Sequence, residues 1–147
     1  MSRRVAATVL DRLQIQERFA CLNRDELEPM LQLYAEDAVF DVSAVFTDVA
    51  PVRGYAAMLR YWRELRETWG GGMQVDPLDT LDLGGGRWVL EVRLSGTGTR
   101  SGIEVDQRFA FLYTLGEDEK IARAELFADV DAAVAAGERA VLGAQPH

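Results

Sequence analysis

Apolar residues recur along this chain at two spacings, helical in its first half and alternating in its second. Val5, Val9, Leu13 and Ala20 share one helical face, with Leu10 and Cys21 beside them, which predicts a first helix over residues 4–22. Leu27, Met30, Leu31 and Tyr34 follow the i, i+3, i+4, i+7 rule and predict a second helix. Asp25 is placed to cap it, Glu28 stands at the capping-box position, and Pro29 lies in its first turn. Ala38 to Ser43 reads as a strand. The stretch 44–53 has no clean period and contains Pro51, so it reads as a loop that could rim a pocket. Met58, Trp62, Leu65 and Trp69 form the apolar stripe of a third helix from Gly54 to Trp69, ended by Gly70–Gly72. On its wet side Arg60 and Arg63 stand four residues before Glu64 and Glu67.

The second half reads as sheet. Gln74 to Leu83 is a strand with a bulge or kink at Pro77. Trp88, Leu90, Val92 and Leu94 alternate with Val89, Glu91, Arg93 and Ser95. Gly96, Gly98 and Gly102 should bend the next pairing, followed by strands at 103–115 and 120–130. A small helix over 131–136, stopped at Gly137, and a frayed tail complete the pattern. Helices early and strands late predict an α+β fold with a mainly antiparallel sheet. One domain over residues 1–137 and a C-terminal tail over 138–147 are expected.

Composition narrows the functions. The 147 residues carry a net charge of −8, which opposes phosphate backbones and anionic lipid, so neither nucleic acid nor membrane is an expected partner. No apolar run approaches the ~20 residues of a membrane span, and the N-terminal apolar stretch, broken by Asp11 and Arg12, does not read as a secretory signal. Cys21 is the lone cysteine, which fits a reducing cytoplasm. His147 is the lone histidine; without a His/Cys cluster zinc is not expected, and no cofactor is. The glycine triplets 70–72 and 84–86 lack the lysine of a phosphate loop. Asp76, Asp79 and Asp82 suit no single strand face and read as solvated charge rather than a cation site.

The run from Leu33 to Ser43, Val52-Arg53-Gly54-Tyr55 opening a helix, Ser101 to Asp106, and Lys120-Ile121 with Phe127-Ala128-Asp129 carry a resemblance. In order and spacing these segments resemble the SnoaL-like branch of the nuclear-transport-factor-2-like superfamily, over residues 5–137. The resemblance implies a cystatin-like, cone-shaped barrel: a curved mainly antiparallel sheet covered by three N-terminal helices around an apolar pocket. It also implies a homodimer through the outer sheet face. The family includes isomerases, dehydratases, epoxide hydrolases and polyketide cyclases beside proteins without known chemistry, so fold does not settle function.

Carried over residue by residue, the machinery of these enzymes is broken. In the pattern of ketosteroid isomerases the tyrosine falls near Arg18, the base at Asp41 or Val42, and the late acid on Phe111. In that of limonene epoxide hydrolases the arginine falls at Arg93, but the aspartates fall near Ser95 and Leu126. Scytalone dehydratase-like chemistry needs pocket histidines, and His147 is the last residue.

Two catalytic candidates remain. Asp41 in an apolar pocket would have a raised pKa and could act as a base; otherwise it is exposed or paired with Arg53 or Arg93. Arg93 could polarise a carbonyl, or be a surface charge. Strand phase decides both, because a one-residue slip reverses the face. The ligand-binding candidates are Tyr34, Phe40, Met58, Trp62, Gln107, Phe109, Phe111, Leu126 and Ala128. Each aromatic among them could equally be core. Ala128 replaces a large aromatic of the isomerase-like pattern, which would widen the pocket. Three functions stay open: a binder of an apolar or aromatic small molecule; an isomerase, cyclase or lyase using Asp41 and Arg93; and a dimeric interaction module.

Overall fold

The computed structural model describes residues 14–69, 72–97, 102 and 104–144. The apolar positions Val5, Val9 and Leu13, the glycines Gly70, Gly71 and Gly98, and His147 lie outside the described residues. Helix α1 (Ile15–Asn23) follows Gln14, which has φ 60°. It buries Ile15, Phe19 and Leu22, the i, i+4, i+7 set of one face. Helix α2 (Leu27–Met30) runs straight into a 3-10 turn, Leu31–Leu33. Strands β1 (Tyr34–Asp41) and β2 (Val52–Arg53) precede helix α3 (Tyr55–Trp69). Strands β3 (Gln74–Gly84), β4 (Arg87–Thr97), β5 (Glu104–Leu115) and β6 (Ile121–Phe127) and helix α4 (Val130–Ala144) complete the chain order.

The strands make one six-stranded sheet in the order β2-β1-β6-β5-β4-β3. All neighbours are antiparallel except β1 and β6, which pair Phe40 with Ala124 and Asp41 with Glu125 in parallel. The fold is α+β, as the order of helical and alternating segments predicts. The sheet curves but does not close into a barrel; β2 and β3 are its two edges. Both faces are covered. Helices α1 to α3 and the inner face enclose the larger core, which holds Phe19, Leu22, Met58, Trp62, Leu90, Phe111 and Tyr113. On the outer face α4 packs Ala133, Val130 and Val134 over Val89, Ala110 and Leu112.

Edge strand β3 is tied to α1 by one side chain. The Asn23 amide donates to Val75 O at 2.9 Å, and its carbonyl accepts from Val75 N at 2.8 Å. Asn23 thus imitates a neighbouring strand and blunts an edge that could recruit another chain. The register of β3 on β4 shifts between Pro77 and Thr80, where a bulge or kink is expected.

Several elements differ from the sequence pattern. The second helix does not reach Tyr34, which begins β1 and pairs with Ile121 of β6. All four residues of its apolar pattern are buried, but sheet pairing takes the last of them. Asp25 does not cap α2, whose N-cap Glu26 makes no side-chain capping bond and pairs with Arg24 at 2.9 Å instead. Asp25 has φ 64°, and its carboxylate lies 2.9 Å from Nε of the buried Arg66. Arg63 reaches Glu28 at 3.9 Å. The last helix does not stop at Gly137 but runs on to Ala144. Gly137 is buried because α4 lies so close to the sheet that a Cβ there would overlap Leu83 Cδ1 and approach Leu112 Cδ1 to 2.9 Å. Gly96 keeps its pairing with Val105, at φ 151°, where a Cβ would meet Gly72 O at 2.5 Å.

Helix α4 bears on self-association too. It already covers the apolar end of the outer face, and what extends beyond includes the charged Arg93, Asp106 and Arg108.

Candidate functional site

Side chains of the inner face alternate along each strand, and their convergence under α3 makes a cavity of about 50 Å³. From β1 and the residue after it come Phe40 and Val42; α3 contributes Tyr61, Trp62 and Leu65. Val75 and Met73 close the β3 side, with Val92 and Leu94 next to them on β4. Phe109 and Phe111 of β5 and Leu126 of β6 form the floor. Phe46, from the aperiodic loop, stands over Phe109 with ring centroids 6.2 Å apart and is 42% exposed.

The rings are mutually supporting. Phe40 lies 5.3 Å from Tyr61, 5.5 Å from Trp62, 5.9 Å from Phe111 and 6.4 Å from Tyr34, centroid to centroid. Phe111 stacks on Tyr113 at 5.5 Å. Burial pushes the phenols of Tyr34, Tyr61 and Tyr113 above their ordinary range, so all three are neutral near pH 7. No lining residue carries a formal charge.

Of the expected binding residues, Phe40, Trp62, Phe109, Phe111 and Leu126 come together around this cavity. Tyr34 and Met58 are buried in the same core without lining it; the Tyr34 carbonyl accepts a 2.6 Å hydrogen bond from the Tyr55 hydroxyl. Gln107 shares the face of Phe109 by alternation and pairs with Leu94, but it is exposed. Ala128 lies beyond the end of β6 and is exposed, so it widens nothing.

The two catalytic candidates lie elsewhere. Phe40 and Val42 point into the cavity, so Asp41 between them points to the outer face. There its carboxylate accepts bonds from the Ser43 amide (2.9 Å) and hydroxyl (2.5 Å), and lies 3.4 Å from the Arg123 guanidinium. Desolvation raises its pKa, but both Ser43 bonds and Arg123 outweigh this, and the net shift is downward. The expectation of a raised pKa is therefore corrected, and the arginine beside Asp41 is Arg123, not Arg53 or Arg93. Arg93 alternates with Val92 and Leu94 in the same way. It is 47% exposed and grips Asp106 with two bonds, at 2.8 Å and 2.6 Å. Asp41 and Arg93 are not brought together in a pocket. Among the described residues no cluster of His, Cys, Asp and Glu could hold a metal ion, and no helix is long and apolar enough to cross a membrane.

Val42, Phe46, Tyr61, Leu65, Met73, Val75, Val92 and Leu94 also line the cavity without having been candidates. Val42 continues the Ala38, Phe40 alternation, and Val92 and Leu94 continue that of Trp88 and Leu90, so a signal existed for them. Tyr61 stands three residues after Met58 and four before Leu65, on the flank of the α3 stripe, so a signal existed for it too, whereas Phe46, in a loop without period, had none.

A family model described as SnoaL-like domain matches residues 15–124. The chain belongs to the SnoaL-like domain family. This SnoaL-like protein has the fold of the nuclear-transport-factor-2-like superfamily. It is similar to the structure of TerC co-crystallised with polyporic acid, with TM-score 0.68 and 17% identity over 82% of this chain and 92% of that one. A protein of unknown function with a cystatin-like fold from Xanthomonas campestris matches with TM-score 0.67 and 18% identity, over 86% of this chain and 96% of that one. RV0760c from Mycobacterium tuberculosis, in complex with estradiol-17beta-hemisuccinate, matches with TM-score 0.62 and 17% identity, over 79% and 91%. At such identities the likeness shows the fold alone. No curated protein matches the sequence.

Proposed function

We propose that this SnoaL-like protein binds an uncharged, mainly apolar small molecule in the cavity beneath α3. The observation that carries the reading is the wall itself. Side chains from six elements and the segments that join them converge on a single space, and none is charged. Such a wall favours apolar rings and penalises an ion, which would lie there unpaired. The volume of about 50 Å³ admits a group of only a few atoms, so a whole ring enters with the exposed Phe46 moving aside. TerC and RV0760c, which share the fold, are both described with small molecules bound. Asp41 and Arg93 have no part in this reading, because both face away from the cavity.

Native mass spectrometry of the purified protein tests it, with Val92→Phe as the comparison because the larger ring fills the cavity. We expect a discrete added mass on the native protein, either retained through purification or taken up from a panel of neutral aromatic compounds, and its loss in Val92→Phe. Equal uptake by both proteins, or none by either, would overturn the reading. The same spectra read the oligomeric state, where twice the chain mass is expected for the homodimer that the family resemblance implies.

A further inference from the structure

Trp62 lines the cavity, is 5% exposed, and carries an indole Nε1–H that is buried without an acceptor among the described residues. An unmet donor inside a protein is costly and rarely left so without a reason. Of the lining residues only Trp62 and Tyr61 carry a side-chain nitrogen or oxygen. A water there would have the Trp62 N–H and at best the Tyr61 hydroxyl as partners, the bare minimum for holding a buried water. A carbonyl-type oxygen on an apolar molecule needs only the one donor. We infer that Trp62 is the polar handle of the cavity, donating its indole N–H to a hydrogen-bond acceptor on the ligand. The ligand class is thereby narrowed to uncharged ring compounds carrying a ketone, ester or ether oxygen that reaches the α3 side. This rests on the small-molecule reading above and adds orientation and selectivity to it.

The test compares acetophenone with α-methylstyrene, in which a methylene replaces the carbonyl oxygen at nearly constant shape. The full chain is labelled with nitrogen-15, and its three tryptophans, Trp62, Trp69 and Trp88, give three indole signals. Trp62→Phe assigns the relevant one. Both probes should move the methyl signals of Val92, Leu94 and Leu126, while acetophenone alone should shift the Trp62 indole proton downfield. The ratio of acetophenone to α-methylstyrene affinity should fall by between about two-fold and ten-fold in Trp62→Phe, the worth of one neutral hydrogen bond. Suppose both probes move the methyl signals while the indole proton and the affinity ratio stay unchanged. The handle is then refuted and the small-molecule reading stands, as it would if the N–H already meets the ring face of Phe40 or Tyr61. Methyl signals indifferent to both probes would overturn the handle and the pocket together. Should Trp62→Phe fail to fold, the indole shift of the native protein decides alone, assigned through its contacts with the Phe40 and Tyr61 rings.

Discussion

Phe40→Ala removes the ring on which four others lean. Phe40 is 2% exposed, and Tyr34, Tyr61, Trp62 and Phe111 all lie within 6.4 Å of its centroid. Truncating a buried phenylalanine costs about 3–5 kcal/mol, depending on how far the surroundings collapse into the gap. Here they can collapse little. Tyr34, Tyr61, Trp62 and Phe111, the neighbours that would have to close the gap, are large flat rings, and the new void merges with a cavity already present. The upper half of the range is therefore expected, about 4 kcal/mol, against a total of about 5–15 kcal/mol for a typical domain. With a urea slope of about 2 kcal/mol/M, the unfolding midpoint should fall by roughly 2 M. The assay is equilibrium urea unfolding followed by tryptophan fluorescence and by circular dichroism, whose agreement checks the two-state treatment. A loss below about 1.5 kcal/mol with an unchanged slope would refute the account, because the rings would then be supported without Phe40. The variant should also take up benzene, as an enlarged apolar cavity does.

Asn23→Ala should lower stability by about 2 kcal/mol and increase aggregation, since Val75 loses both partners on the free edge of β3; calorimetry and light scattering read the two effects, and an unchanged melting temperature would count against the strand mimic. Asp41→Asn should cost about 1 kcal/mol at pH 7. Because the folded-state pKa of Asp41 is depressed, its contribution is present above the unfolded value of about 3.9 and is lost as pH falls through the folded value. The gap between native protein and variant should therefore close below pH 4 in pH-dependent urea unfolding, and a gap constant from pH 7 to pH 3 would contradict the Ser43 and Arg123 contacts. Gly137→Val should destabilise by about 2 kcal/mol through overlap with Leu83 and Leu112, although replacing glycine inside a helix ordinarily stabilises; a higher melting temperature would mean that α4 is not seated as described.

The alternation of Trp88, Leu90, Val92 and Leu94 with Val89, Glu91, Arg93 and Ser95 was legible in the sequence, as were the stripe of α3 and the split into early helices and late strands. Local spacing carries such information because side-chain direction repeats every two residues in a strand and every 3.6 in a helix. Which face of the sheet holds the cavity was not legible, since both faces have apolar residues: Val92 and Leu94 beneath α3, Val89 and Leu112 beneath α4. Phe40 and Asp41 are neighbours in the chain yet lie on opposite sides of the sheet. The sequence therefore determined that one of them would meet the cavity, and the packing of α3 decided that it was Phe40. Tyr34 makes the same point about elements. Its helical spacing from Leu27 and Leu31 was real, but the parallel pairing with Ile121 drew it into a strand. Arg123 stands eighty-two residues from Asp41 in sequence and reaches it only because β1 and β6 lie side by side. Local periodicity is written within a few residues, whereas cavities and ion pairs depend on distant segments meeting, which tertiary packing alone arranges.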